Sequence, residues 1–193
     1  STYTHDMPRP RGGIFEAIVG GKTAETLPNA WGGYMDAGDW DRRPAHIKVS
    51  RHLFELYEMA PAYYAGLQLD IPESDDGLPD IVNEALWCVD FHRRMQKPDG
   101  GVPSGIESAE HPRHGEASWD ESLDIMAFAP CPSMSYRYAG VAARAALIMR
   151  SLGRGAEASG YEQSENRHDR QDLETPQVAH WLIPFIIRFV RRN

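Results

Sequence analysis

Cysteine is scarce. Cys88 and Cys131 are the only two in 193 residues, too few for a disulfide framework, and they leave the redox compartment open. Cys88 falls inside a helical apolar pattern, where a free thiol behaves as a small buried hydrophobe. Long apolar runs are also missing. Val178 to Val190 comes nearest, but it is interrupted by His180, Pro184 and Arg188 and is shorter than the roughly 20 residues a membrane span needs. It reads as a core helix kinked at Pro184, and no membrane partner is expected. Clustered basic charge is lacking too: the formal charge of −8 argues against a nucleic-acid partner, whose phosphates are met by Lys and Arg. No Gly-rich phosphate loop links a strand to a helix, and no G-x-S-x-G nucleophile elbow occurs. The acidic loop Asp70 to Asp76 does not have the ligand spacing of a calcium-binding EF-hand. Ser1 to Arg11 is polar and Pro-containing, so it does not read as a signal peptide. The absent initiator Met suggests a trimmed or excerpted chain, and localisation is not legible from that end.

What is present describes one globular domain. Hydrophobic residues make up 41% and charged residues 25%, ordinary for a chain that can bury a single sizeable core. Five Trp and eight Tyr are generous; most such rings fill cores, while exposed ones make platforms for flat ligand faces such as sugars. Residues 1–43 hold paired glycines and read as loop with a short strand or two around Ile14 to Val19. From Pro44 onward Ile47, Leu53, Phe54, Leu56, Tyr57 and Ala60 recur at helical spacing, and Pro61 ends or kinks that helix. Pro79 opens a second helix. Its Asp80 and Glu84 suit the positive end, and Arg93, Arg94 and Lys97 the negative end, before Pro98-Asp99-Gly100-Gly101 stops it. Residues 98–132 are expected to be a folded, site-building loop without regular structure. A third helix runs from about Met134 to Leu152, and its Ala139 to Ala143 stretch of small residues permits close packing. Glu162 to Glu174 suits a solvated loop or surface helix. The layout is all-α.

Two patterns carry possible chemistry. In Trp31-Gly-Gly-Tyr-Met-Asp36-Ala-Gly-Asp39-Trp40 two carboxylates three residues apart can converge on one water if the loop turns, and together orient and deprotonate it. Gly38 leaves room for a ligand, and Trp31, Tyr34 and Trp40 offer stacking surfaces nearby. On spacing alone the favoured reading of the same residues is an Asx-rich turn capping the helix at Pro44. His111-Pro-Arg-His114-Gly-Glu116 holds two imidazoles and a carboxylate, but Pro112 and Gly115 prevent the helix on which metallopeptidase ligands sit. Polar or sugar-contacting loop residues are the favoured reading there, and neither a metal nor another cofactor is expected.

The stretch Gly32-Gly33-Tyr34-Met35-Asp36-Ala37-Gly38-Asp39 resembles the G-G-W-x-D-A-G-D signature of family 9 glycoside hydrolases, the cellulase family with an (α/α)6 barrel. A second block, Leu78 to Glu84 continuing through Phe91 to Val102, resembles that family's L-P-D-x-x-D-E helix and its M-Q-x-P-D-G-G-V end. Phe128 to Ala146 is similar to the loop and helix that follow. The resemblance implies an all-α, (α/α)6-type fold present as roughly half a barrel: one partial catalytic domain over 1–193, with a loop-rich segment at 1–43 and a divergent tail at 162–193. It implies inverting hydrolysis of β-glycosidic bonds, with Asp39 as general base and Asp36 holding the same water. Trp31, Tyr34, Trp40 and Trp119 would contact a β-linked oligosaccharide or polysaccharide. Nothing matches the family's proton-donating glutamate, so the chain alone is expected to be inactive. A non-catalytic carbohydrate-binding role is the alternative. Self-association through exposed helix faces is expected, and by resemblance a secreted or periplasmic location. Trp40-Asp41-Arg42-Arg43 stands where many cellulases have a lysine and an aromatic, which leaves the sugar open.

Overall fold

The computed structural model describes residues 2–5, 21–35, 40–117 and 120–172. The expected strand at Ile14 to Val19 and the kinked helix at Val178 to Val190 lie outside these residues. Among the described residues four multi-turn helices and one single turn dominate. They are α1 (Ile47–Met59), α2 (Pro61–Tyr64), α3 (Asp80–Met95), α4 (Pro132–Ser151) and α5 (Gly155–Asp172).

The helix boundaries follow local chemistry. The α1 helix stops at Ala60, whose backbone departs from helical geometry immediately before Pro61, and Pro61 then takes the first position of α2. In α3 the Asp80 carboxylate does more than complement the helix end. Buried, it accepts from Leu69 N at 2.7 Å and from Ser74 Oγ at 2.8 Å, binding the acidic loop to the start of the helix. The last turn of α3 carries His92, Arg93 and Arg94, as the charge pattern suggests. Leu152 to Arg154 turns α4 back into α5, with Gly153 at positive φ just past the helix end. Arg150 then pairs with Glu162 across the turn, Nε and Nη2 donating to the two carboxylate oxygens at 2.7 and 2.6 Å.

One main core joins all four long helices: Phe54 and Tyr57 of α1, Val82, Ala85 and Val89 of α3, Tyr138, Val141 and Ala145 of α4, and Ala158 and Tyr161 of α5. The small residues of α4, Ala142, Ala145 and Ala146, are all buried, which lets helix axes approach closely. The polar sequence after Gly155 is helical because Ala158, Tyr161 and Ser164, three residues apart, form a buried stripe. Tyr161 Oη donates to Asp90 at 3.1 Å, and Gln96 Nε2 donates to the Ser164 carbonyl at 2.8 Å, so α5 is fixed along α3.

The fold departs from the all-helical layout in a small sheet. Strands β1 (Thr2–His5), β2 (Lys22–Leu27), β3 (Ile106–Ser108) and β4 (Ile125–Ala127) lie in the order β2-β1-β4-β3. The β1 strand is antiparallel to β2, with an irregularity between Tyr3 and His5, and parallel to β4; β3 is antiparallel to β4. Residues 98–132, expected to lack regular structure, thus contain two strands, closed at their base by a Pro103–Pro130 bridge. Three-residue strands are too short to show alternation, and β4 pairs both with β3 and with β1, more than a hundred residues away. A second core of Ala30, Phe91, Met95, Ile106 and Ala127 lies between this sheet and α3, with Trp40 packed against it.

Candidate active site

Residues 31–35 lie against α3, and Asp41 meets the same helix beyond the motif. Arg94 Nη2 donates to the Trp31 carbonyl at 2.7 Å, and Trp87 Nε1 donates to the Gly33 carbonyl at 2.9 Å. Tyr34 Oη donates to the Glu84 carbonyl at 2.6 Å. Gly33 is required at its position. Its φ is +82°, and a Cβ there would lie 2.7 Å from Asp41 Oδ2 and 2.9 Å from Phe91 Cδ1.

Asp41 is the anchor of the far end. It is 1% exposed. Its Oδ2 accepts from Tyr34 N at 2.8 Å, and its Oδ1 lies 2.9 Å from His46 Nδ1. The Asp41 carbonyl accepts from Ile106 N at 2.8 Å, which ties the segment to β3. Next to it Arg42 Nη1 pairs with the buried Glu107 at 2.7 Å. Gly105 makes this crossing possible: at φ +147° a Cβ would stand 2.0 Å from the Asp41 carbonyl oxygen. The sequence pattern marks Asp41 only as part of the departure after the motif and does not single out His46. The available signal was an acid two residues beyond the D-A-G-D motif, with a histidine five residues later.

Beneath Asp41, Cys88 Sγ lies 3.6 Å from Oδ2. Burial first, and then the Asp41 charge, pushes the Cys88 thiol well above its ordinary pKa. His92, one turn further along α3, is 0% exposed, and neither ring nitrogen makes a hydrogen bond of ordinary geometry. Burial pushes its pKa down to about 4; Asp41 and the nearby Pro103 carbonyl oppose that shift, and His46 adds to it. Donor atoms of Asp41, Cys88 and His92 all lie within 4.8 Å of one another. Of the described residues this is the group assembled like a metal site. His111 and His114 are exposed, and Glu116 accepts from Arg113 N at 3.0 Å within its own turn.

The expected site residues fall in different places. Asp36, Asp39 and Trp119 lie outside the described residues. Trp31 is 52% exposed, with the Arg94 guanidinium 3.7 Å from its ring centroid and the Trp87 ring 5.8 Å away at a 58° tilt. These rings border a groove of about 300 Å³ that continues to Asp90, Arg93 and Tyr161. Tyr34 is half-buried against the main core; burial raises its pKa, and its hydroxyl is committed to Glu84. Trp40 is also half-buried, and its Nε1 donates to Glu121 Oε1 at 2.6 Å. The structure therefore separates an open aromatic face at Trp31 and Trp87 from two rings that brace the loop.

Comparison with known proteins bears on this geometry. No protein-family model matches the chain. An 83-residue stretch is 31% identical to a xyloglucan-specific endo-beta-1,4-glucanase of Bacteroides ovatus, covering 42% of this chain and 14% of that protein. A 92-residue stretch is 33% identical to a cellulose 1,4-beta-cellobiosidase of Acetivibrio thermocellus, covering 43% of this chain and 10% of that protein. The crystal structure of a metagenome-derived glycoside hydrolase family 9 endoglucanase matches with a TM-score of 0.73 at 24% identity, over 90% of this chain and 30% of its own. The fold is that of family 9 glycoside hydrolases, present in part. The chain spans less than a third of the length of these family 9 relatives. Four long helices and one short turn agree with part of the family 9 (α/α)6 barrel. No helix among the described residues is long and apolar enough to cross a membrane.

Proposed function

We propose that this chain carries the water-activating side of an inverting β-glycosidase acting on a cellulose-like β-glucan. Asp39 is the general base and Asp36 holds the same water. As the water oxygen bonds to the anomeric carbon, its proton passes to Asp39. The glycosidic C–O bond breaks, and an acid on the opposite side protonates the departing oxygen. In inverting enzymes the two carboxyl groups stand roughly 6.5–9.5 Å apart to admit that water. No motif among the 193 residues matches the acid, so this chain by itself is expected to be inactive or nearly so.

The observation that supports this reading best is the docking of two sequence blocks that are 50 residues apart. Tyr34, two residues before Asp36, is bonded to Glu84, and Gly33 to Trp87, so the residues leading into the aspartates are fixed on the motif-bearing helix. The named activities of the curated relatives, on xyloglucan and on cellulose, point to a β-1,4-linked glucan. A carbohydrate-binding role without chemistry is the second reading, and it is supported by the exposed pair Trp31 and Trp87, at 52% and 37%. Exposed Met59, Tyr63 and Leu147 also support self-association of the chain.

The deciding experiment is hydrolysis of cello-, chito- and glucosamine oligomers, with product anomers followed by NMR. It compares this chain, its Asp39→Ala variant, and the chain extended by a family 9 C-terminal half. Inversion by the extended protein alone, lost in Asp39→Ala, supports the proposal and names the sugar. Cleavage by the 193 residues unaided refutes the missing acid. Oligosaccharide binding without hydrolysis in either form, surviving Asp39→Ala, favours the second reading.

A further inference from the structure

We propose that Asp41, Cys88 and His92 form a buried zinc site that clamps the loop bearing Asp36 and Asp39 to helix α3. Three different donors (a carboxylate oxygen, a sulfur and an imidazole nitrogen) converge from two elements with all donor atoms within 4.8 Å of one another. Cys88 and His92 are four residues apart on α3, so they project from one face a single turn apart, the spacing by which helices present paired ligands. Asp41 reaches them from the loop.

The sulfur–oxygen separation, which in the absence of metal is a thiol–carboxylate hydrogen bond, suits zinc. Zinc–sulfur bonds of about 2.3 Å and zinc–oxygen bonds of about 2.0–2.2 Å at a tetrahedral angle set sulfur and oxygen about 3.6 Å apart. Cys88 Sγ and Asp41 Oδ2 are separated by 3.6 Å. Charge suits it as well: one thiolate and one carboxylate neutralise a divalent ion, which is the condition for holding such charges in a site where all three residues are buried. Asp41 Oδ1 is meanwhile engaged by His46 Nδ1 at 2.9 Å. That is the carboxylate–histidine contact that orients a ligating group from behind and leaves Oδ2 facing the sulfur.

The unpartnered histidine is the observation that points to an occupant. A buried imidazole with no hydrogen bond of ordinary geometry on either nitrogen, and only the Pro103 carbonyl nearby, is costly, whereas a neutral imidazole is the form that ligates zinc. Binding would convert the Cys88 thiol to thiolate and release its proton to solvent, with no redox change. Three protein ligands leave a fourth tetrahedral position. The role is positional: the same Oδ2 also accepts from Tyr34 N, so the ion would fix both ends of the segment that flanks the aspartates.

The test is the metal content of the full 193-residue protein, purified without chelator and without a His-tag, followed by cobalt replacement. About one zinc per chain is expected. Cobalt should produce the visible bands of a tetrahedral site together with a thiolate-to-cobalt charge-transfer band. Cys88→Ala and His92→Gln, each checked for folding by circular dichroism, should lower zinc to below about 0.1 per chain or weaken binding at least ~100-fold, and Cys88→Ala should abolish the charge-transfer band. A His111→Ala/His114→Ala double variant should retain both metal and spectrum. Should either Cys88 or His92 variant fail to fold, urea unfolding decides: a midpoint raised by added zinc in both the parent and the His111→Ala/His114→Ala variant supports the site, and a midpoint unaffected by zinc refutes it. A parent chain that is zinc-free and takes up neither ion at micromolar concentration overturns the proposal. So does metal that follows His111 and His114 instead.

Discussion

Adding one methyl group at Gly105 tests how the candidate loop is attached to the sheet. The Cβ would lie 2.0 Å from the Asp41 carbonyl oxygen and 2.9 Å from Arg42 Cα. These are backbone atoms, so a side-chain rotation cannot relieve the overlap. Separating the segments breaks the Ile106 N to Asp41 carbonyl bond of 2.8 Å and draws Arg42 from Glu107. The unusual φ of Gly105 contributes about 1–3 kcal/mol of strain in any other residue, and a buried donor or acceptor left without its partner costs about 1–3 kcal/mol more. Gly105→Ala should therefore destabilise by about 3–5 kcal/mol. Gly115→Ala is the control: its φ is +92°, but nothing lies within 4 Å of the added carbon, so about 1 kcal/mol is expected. Urea unfolding followed by tryptophan fluorescence reads the difference. With m near 1–3 kcal/mol/M, a gap of at least about 2 kcal/mol separates the midpoints by about 1 M. Equal midpoints for the two variants would refute the claim that β3 and the loop cross in direct backbone contact.

Three further outcomes follow from the same geometry. Arg42→Ala removes the guanidinium beside the buried Glu107 carboxylate and should cost about 2 kcal/mol in urea unfolding, less than a fully buried pair because Arg42 is partly exposed; no measurable loss would make the pair incidental. Tyr34→Phe removes the hydroxyl bond to the Glu84 carbonyl and should lower stability by about 1 kcal/mol; a stabilised variant would mean that the hydroxyl does not make this bond. In the extended enzyme, Asp39→Ala should lower kcat by about 10²–10⁴-fold, the usual worth of a general base, with KM little changed; an unaltered kcat in steady-state assays would assign the base elsewhere.

Sequence and tertiary structure divided the determination of this protein along a clear physical line. The helices were legible because their signals are local: proline at 61, 79 and 98, an apolar stripe from Ile47 to Tyr57, and charge placed along Asp80 to Met95. The two blocks that resemble family 9 hydrolases were likewise readable as contiguous strings, which is why the fold class could be inferred before any coordinate. The sheet was not readable. Its strands at 106–108 and 125–127 have three residues each, and β1 pairs with β4 across more than a hundred residues that include α1, α2 and α3. Helix α5 was ambiguous for a related reason: its sequence is polar, and only packing on α3 and α4 selects the Ala158, Tyr161 and Ser164 face. Asp41 is the sharpest case. In the sequence it is one acid among 28; in the fold it meets Tyr34, His46, Cys88 and Ile106. A chain of residue types specifies which groups can bond, but burial and proximity, which decide the bonds they make, exist only once distant segments share one interior.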